Sequence, residues 1–173
     1  MAYIFELVAE CGDNPTAAFQ LKRHFEDVAW TLTNGMFVTC PTHESDVWQS
    51  TDQMWRCRIV PDRVSVPGDS LGPRSLSLRV EIARLLYSHL RTHTGFRIAC
   101  VGWEISLSSL SYDAIVKAEH DLSVLPAGLV VCDDLWRQLG GPSTFVQFGM
   151  NTFWKPLDDA GFFEMVRLFD SDR

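Results

Sequence analysis

From Pro73 onward, polar residues return at Ser77, Glu81, Arg84, Ser88 and Arg91, in alternating steps of four and three. That is the repeat of one helical face. Leu76, Leu78, Val80, Ile82, Ala83, Leu85, Leu86, Tyr87 and Leu90 fill most of the remaining circumference, so the helix should be covered on more than one side. Pro73 near its start, Ser75 as a cap and Gly95 past its end match the residue preferences of helix termini. From Ile98 to Ile105 the pattern becomes a nearly continuous apolar run, broken only by Glu104. Too short for a helix and rich in strand formers, it predicts a central strand buried on both faces.

The chain before this unit alternates in kind. Tyr3 to Ala9 reads as a strand, and Asn14 followed by Pro15 opens a helix to about Asp27. Asn34-Gly35 between two apolar alternating runs predicts a two-residue hairpin turn. In that register Leu32 faces Phe37 and Trp30 faces Thr39, and Val28, Trp30, Leu32 and Phe37 share one apolar face. Residues 41–53 lack either period and read as a loop carrying Trp48. A strand from Met54 to Val60 should place Trp55, Cys57 and Ile59 inward and Arg56 and Arg58 outward. The order to residue 105 is therefore β-α-β-β-β-α-β. The fold class is α+β, a mostly antiparallel or mixed sheet with helices packed on it, and a ferredoxin-like element is one form of it. In the last third the patterns predict helices at Ser111–Leu122, Asp133–Leu139 and Asp159–Phe169, a strand at Gly128–Cys132 and a hairpin from Phe145 to Trp154. A boundary near residue 106 would leave each half a thin core, so residues 1–173 are expected to form a single globular domain.

Charge changes this picture more than composition does. The formal net charge is −7, yet residues 56–97 carry eight arginines against three acidic residues, while both flanking segments are acidic. Arginine forks suit carboxylate or phosphate, so the middle segment could grip an anionic ligand. Its simpler use is pairing with the chain's own carboxylates. The overall acidity argues against nucleic-acid binding. Five widely spaced cysteines, an odd number, argue against a secreted disulfide framework. The opening residues lack the basic start of a signal peptide, and no uncharged apolar stretch has the length of a membrane span. A cytoplasmic protein without membrane association is expected.

No motif specifies a reaction. His89 and His93 are spaced i, i+4 on the long helix, close enough to share a metal. They have no third ligand nearby in sequence, and a helix C-terminus favours histidine on ordinary grounds. Cys40-x-x-His43 is half of a zinc spacing. Neither a nucleophile elbow nor a phosphate or dinucleotide loop is present, so neither a metal nor a cofactor is expected. Glu104 interrupts a buried strand and, if it lines a pocket with Arg97 or His93, is an acid/base candidate beside His89 and His93. Its ordinary reading is a strand exit or an ion pair. Asp133-Asp134 at a strand end reads as the first turn of a helix.

Aromatics beside charges are the usual anchors of protein interfaces. Trp48 in its polar stretch, and Trp154 beside Asp158 and Asp159, are the partner-binding candidates. The expectation is a non-catalytic protein-binding module with the character of a small bacterial immunity protein, neutralising a toxin or effector by occluding it. The alternative is a small enzyme acting on an anionic substrate held by arginines, with Glu104 or a histidine moving a proton.

Overall fold

The computed structural model describes residues 2–64, 66–67, 73–103, 105, 111–117 and 125–167. The strands are β1 (Ala2–Tyr3), β2 (Phe5–Glu10), β3 (Ala29–Thr31), β4 (Phe37–Thr39), β5 (Val47–Gln49), β6 (Trp55–Ile59), β7 (Val66–Pro67), β8 (Ile98–Trp103), β9 (Val130–Cys132), β10 (Val146–Gly149) and β11 (Thr152–Trp154). The helices are α1 (Pro15–Phe25), α2 (Pro73–Leu90), α3 (Tyr112–Lys117), α4 (Asp133–Gln138) and α5 (Asp159–Arg167). Local chemistry accounts for their limits. The Asn14 side chain accepts from the Ala17 N–H at 3.3 Å, with Pro15 behind it, and so caps α1. Asp133 and Asp134 form the first turn of α4, where carboxylates meet the positive end of the helix dipole.

Seven strands form one sheet in the order β10-β11-β9-β8-β2-β6-β5, and each neighbouring pair is antiparallel. Within it, β8-β2-β6-β5 is the fourth, first, third and second strand of a β-α-β-β-α-β unit. That is the ferredoxin-like arrangement, in which α1 and α2 each cross from one strand to a non-adjacent one. The α+β expectation holds. The stretch 41–53 is not all loop: a 3₁₀ turn at Glu44–Asp46 leads into β5, so Trp48 stands on a sheet edge, opposite Arg56.

The hairpin also departs from the expected register. Thr31 faces Phe37, Trp30 faces Val38 and Ala29 faces Thr39. A three-residue turn, Thr33-Asn34-Gly35, replaces the two-residue one. It is closed by Leu32 N–H to the Met36 carbonyl at 2.8 Å and Gly35 N–H to the Leu32 carbonyl at 2.8 Å. Gly35 takes φ +81°, the left-handed position such a turn needs. Thr33 is drawn out of the ladder because its N–H and hydroxyl both donate to Glu81 of α2, at 2.8 Å each. A slip of one residue turns a strand's side chains over. Accordingly Val38 is buried and Phe37 is 54% exposed, the reverse of the expectation. Among the described residues, β3 and β4 pair with each other alone, and the hairpin is a separate small sheet.

Alternation along the strands divides the core between the two faces of the sheet. On one face Phe5, Leu7, Ala9, Cys57, Ile59, Ala99 and Val101 pack with Leu21 and Phe25 of α1 and Ile82, Leu86 and Leu90 of α2. On the other, Ile98 and Val131 pack with Ile115 of α3 and Leu135 of α4. No helix among the described residues is long and apolar enough to cross a membrane.

Candidate functional site

The polar stripe of α2 lines a groove. Ser77, Glu81, Arg84 and Ser88 lie along it with Val80 and Leu85, the hairpin's Thr33 stands on it, and Asp159 and Phe163 of α5 complete it. The open volume is about 580 Å³. The groove exists because α2 is too apolar to face water over most of its circumference. The sheet, the hairpin and α5 cover it, and the polar strip between the hairpin and α5 stays open. Its charges are held in place. Glu81 accepts two bonds from Thr33, and Arg84 pairs with Asp159 at 2.5 Å while lying over the Phe162 ring. Phe163 is 42% exposed. These residues contain a carboxylate–guanidinium pair and several hydroxyls, which can fix the orientation of a bound chain. They contain neither a histidine nor a thiol.

The sheet face that carries α3 and α4 holds a second polar array. Glu10 of β2 stands opposite Arg56 of β6, and both are buried. Arg56 bonds Asp52 at 2.6 Å and approaches Glu10 at 3.7 Å, and Arg97 reaches Glu10 at 3.8 Å. Arg97 is seated over the Tyr112 ring, 3.5 Å from its centroid. Nearby, Arg58 pairs with Asp46 at 3.3 Å and with Glu6 at 3.9 Å. Burial raises the Glu10 carboxyl above the ordinary range, opposed by Arg97 and Arg56.

Seven of the eight middle-segment arginines are thus engaged within the chain. Arg56, Arg58, Arg63, Arg84 and Arg97 all have carboxylate partners, while Arg79 lies over Trp103 and Arg91 over Phe148. The thiols are equally unsuited to attack. Burial pushes Cys11 and Cys40 up to about 12, Cys100 up to about 11, and Cys57 and Cys132 upward as well, whereas a reactive cysteine needs a lowered value.

The structure separates the remaining candidates. Trp154 is half-buried against Tyr87 and Phe148, with ring centroids 5.6 and 5.5 Å apart, and so packs under the core instead of standing at a rim. Asp158 caps α5, its Oδ1 accepting from the Gly161 N–H at 2.7 Å, beside a smaller hollow of about 440 Å³. Asp159 is on the α2 groove and Trp48 on the far sheet edge, so the four do not form one surface cluster. Cys40 is buried, whereas His43 is exposed and opens the 3₁₀ turn. Glu104 lies outside the described residues. His89 and His93 are joined by a third imidazole, His24 of α1, whose ring lies 4.3 Å from His89 and 4.8 Å from His93. The His24 and His89 rings stack, so their in-plane nitrogens do not converge on a point. Among the described residues, no group of three or more His, Cys, Asp or Glu is arranged to hold a metal ion.

Sequence reasoning missed Thr33, Phe163 and His24. The α2 stripe was visible, but its walls come from segments 44 residues before Ser77 and 71 residues after Ser88, and no local period links them. Comparison with protein-family models, curated proteins and solved structures finds no match to this chain.

Proposed function

We propose that this chain is a non-catalytic protein-binding module of the immunity or inhibitor class, and that it neutralises a toxin or effector by seating part of it in the α2 groove. The observation that carries the reading is the state of the groove's charges. Glu81 is held by Thr33 and Arg84 by Asp159, so the surface is preorganised for contact, and preorganisation lowers the cost of association. Phe163 on the groove and Phe37 on the hairpin are large exposed apolar side chains of the kind that anchor interfaces. The net charge of −7 favours a basic partner by steering. The enzyme alternative has less support, because seven of the eight arginines meant to hold an anionic substrate already have carboxylates or aromatic rings as partners.

The test is a tagged pull-down at native expression level with mass-spectrometric identification, repeated with Ser88→Arg and Phe163→Ala. A stoichiometric basic partner that binds the wild type and is lost from both variants, while their melting temperatures hold, is the expected result. A partner retained by both variants would move the interface off the groove. A chain that recovers no partner would count against the module reading.

A further inference from the structure

We propose that the α2 groove takes an extended segment of a partner protein, which adds as a third strand along β3 and sets a lysine or arginine on Glu81; this rests on the protein-binding reading above. The hairpin's two margins are unlike. Cys40 N–H bonds the Val28 carbonyl at 3.0 Å, and Leu32 N–H bonds the Met36 carbonyl at 2.8 Å. Hydrogen-bonded pairs alternate along antiparallel strands, so Trp30 with Val38 is the pair between these two. Ala29 and Thr31 of β3, and Phe37 and Thr39 of β4, therefore aim their backbone groups away from the hairpin. On the β4 side that margin is closed at Thr39. Its N–H donates to Asp62 Oδ1 at 2.6 Å, and its carbonyl accepts from the Asp62 N–H at 2.9 Å. On the β3 side Ala29 and Thr31 are exposed, and among the described residues no strand pairs with their outward amides and carbonyls.

This open margin runs beside the groove. Thr33 holds the next outward place in the same alternation, and its N–H reaches Glu81 of α2 at 2.8 Å. Toward the other end, the Trp30 ring lies 6.4 Å from His89. From Trp30 to Thr33 a strand covers about 10 Å, and from Glu81 to His89 a helix covers about 12 Å. β3 thus lies alongside the part of α2 that carries Glu81, Leu85 and Ser88, and Asp159 and Phe163 of α5 form the other wall. The margin selects a strand as its occupant, because a helix bonds its amides and carbonyls internally and would leave those of Ala29 and Thr31 unused. Side chains of an added strand alternate, so every second one turns toward α2. Charge then decides which side chain suits the Thr33 end. Arg84 is taken by Asp159, whereas Glu81 accepts only from Thr33, and among the described residues no cation pairs with it. A carboxylate has about four acceptor positions, so Glu81 can still accept from an incoming ammonium or guanidinium.

The margin is tested first on the free full chain by amide exchange. Ala29 and Thr31 should exchange about tenfold faster than Trp30 and Val38, whose amides lie in the ladder. Equal protection at all four would mean that the margin is already covered, and would overturn the proposal. The occupant is tested next with a capped pentapeptide of alternating valine and threonine around a central lysine, at about 5 mM. Exchange at Ala29 and Thr31 should slow about threefold while Trp30 is unchanged. The same peptide with glutamate in place of lysine should leave all three unchanged. Equal effects of the two peptides, or no slowing by either, would overturn the proposal.

With the partner recovered by pull-down, Thr31→Pro is compared with Thr31→Val. Proline removes one outward N–H and no ladder bond, which an edge position tolerates, whereas valine keeps the N–H. Recovery of the partner should fall about tenfold for Thr31→Pro and hold for Thr31→Val. A partner that binds Thr31→Pro like the wild type, yet is lost from Ser88→Arg and Phe163→Ala, would leave the groove reading standing and refute the added strand. If no partner is recovered, the module reading falls and the pentapeptides alone decide the strand. If Thr31→Pro does not fold, exchange in the wild-type complex decides: protection of Ala29 and Thr31 supports the added strand, and protection of neither refutes it. A dimer of the chain alone that protects these two amides would assign the margin to a second copy and overturn the proposal.

Discussion

The Tyr87 hydroxyl donates to the Gly128 carbonyl at 2.8 Å, and a side chain added at Gly128 would stand 2.6 Å from that same oxygen. Tyr87 also accepts from the Val101 N–H at 3.1 Å and is ringed by Phe148, Trp154 and Phe162. One buried phenol thus joins α2 to β8 and to the turn before β9. Tyr87→Phe keeps the ring but strands a buried carbonyl and a buried N–H, and should cost about 2 kcal/mol in denaturant unfolding. Gly128→Ala should cost more, because the methyl meets the hydroxyl and Gly128 holds φ +86°.

The pairing of Glu10 with Arg56 should show strong asymmetry. Arg56→Met leaves Glu10 buried with Arg97 alone as a cation, at a cost on the order of 3 kcal/mol. Glu10→Gln should cost far less, because Arg56 keeps Asp52 at 2.6 Å and burial already favours the uncharged Glu10 carboxyl. In the Glu10→Gln background, Arg56→Met should be milder by 1 kcal/mol or more, as a double-mutant cycle would measure. The sign for pH follows. A raised folded value means that Glu10 favours folding at low pH and loses that contribution as pH rises through its folded value, so Glu10→Gln should flatten the wild-type stability curve there.

Glu81→Ala removes both acceptors of Thr33. The expected loss is about 1 kcal/mol. Amide exchange should accelerate at Thr33, Gly35 and Leu32 but not at Leu7 or Val101 in the central strands. Uniform acceleration would show that the hairpin and the sheet open together.

Trp154→Ala should act on stability. The side chain packs on Tyr87 and Phe148, so its removal should cost roughly 2 kcal/mol or more in thermal or denaturant unfolding. An unchanged melting temperature would restore Trp154 as a surface anchor.

What was legible in the sequence had a local cause. The start of α1 follows from Asn14 and Pro15, and the two-sided burial of β8 from an uninterrupted apolar run. The hairpin was legible as a hairpin, but its register was decided by Glu81, a residue 46 positions beyond Gly35 that draws Thr33 into the turn. Likewise, the i, i+4 pair of His89 and His93 was plain. Its partner His24 arrives only because two helices end side by side. β5 was missed because three residues are too few to show a period.

Among the described residues, both outer strands of the seven-stranded sheet are short: β5 has three residues and β10 has four, with a register break between Gln147 and Gly149. At Gly149 a β-carbon would stand 2.6 Å from the Arg91 carbonyl, so the chain folds back tightly against that margin. A foreign strand finds few consecutive amides and carbonyls to zip onto at either end. The native protein should therefore resist fibril seeding at high concentration, even though its central strands, β2 and β8, are apolar enough to polymerise once unfolded.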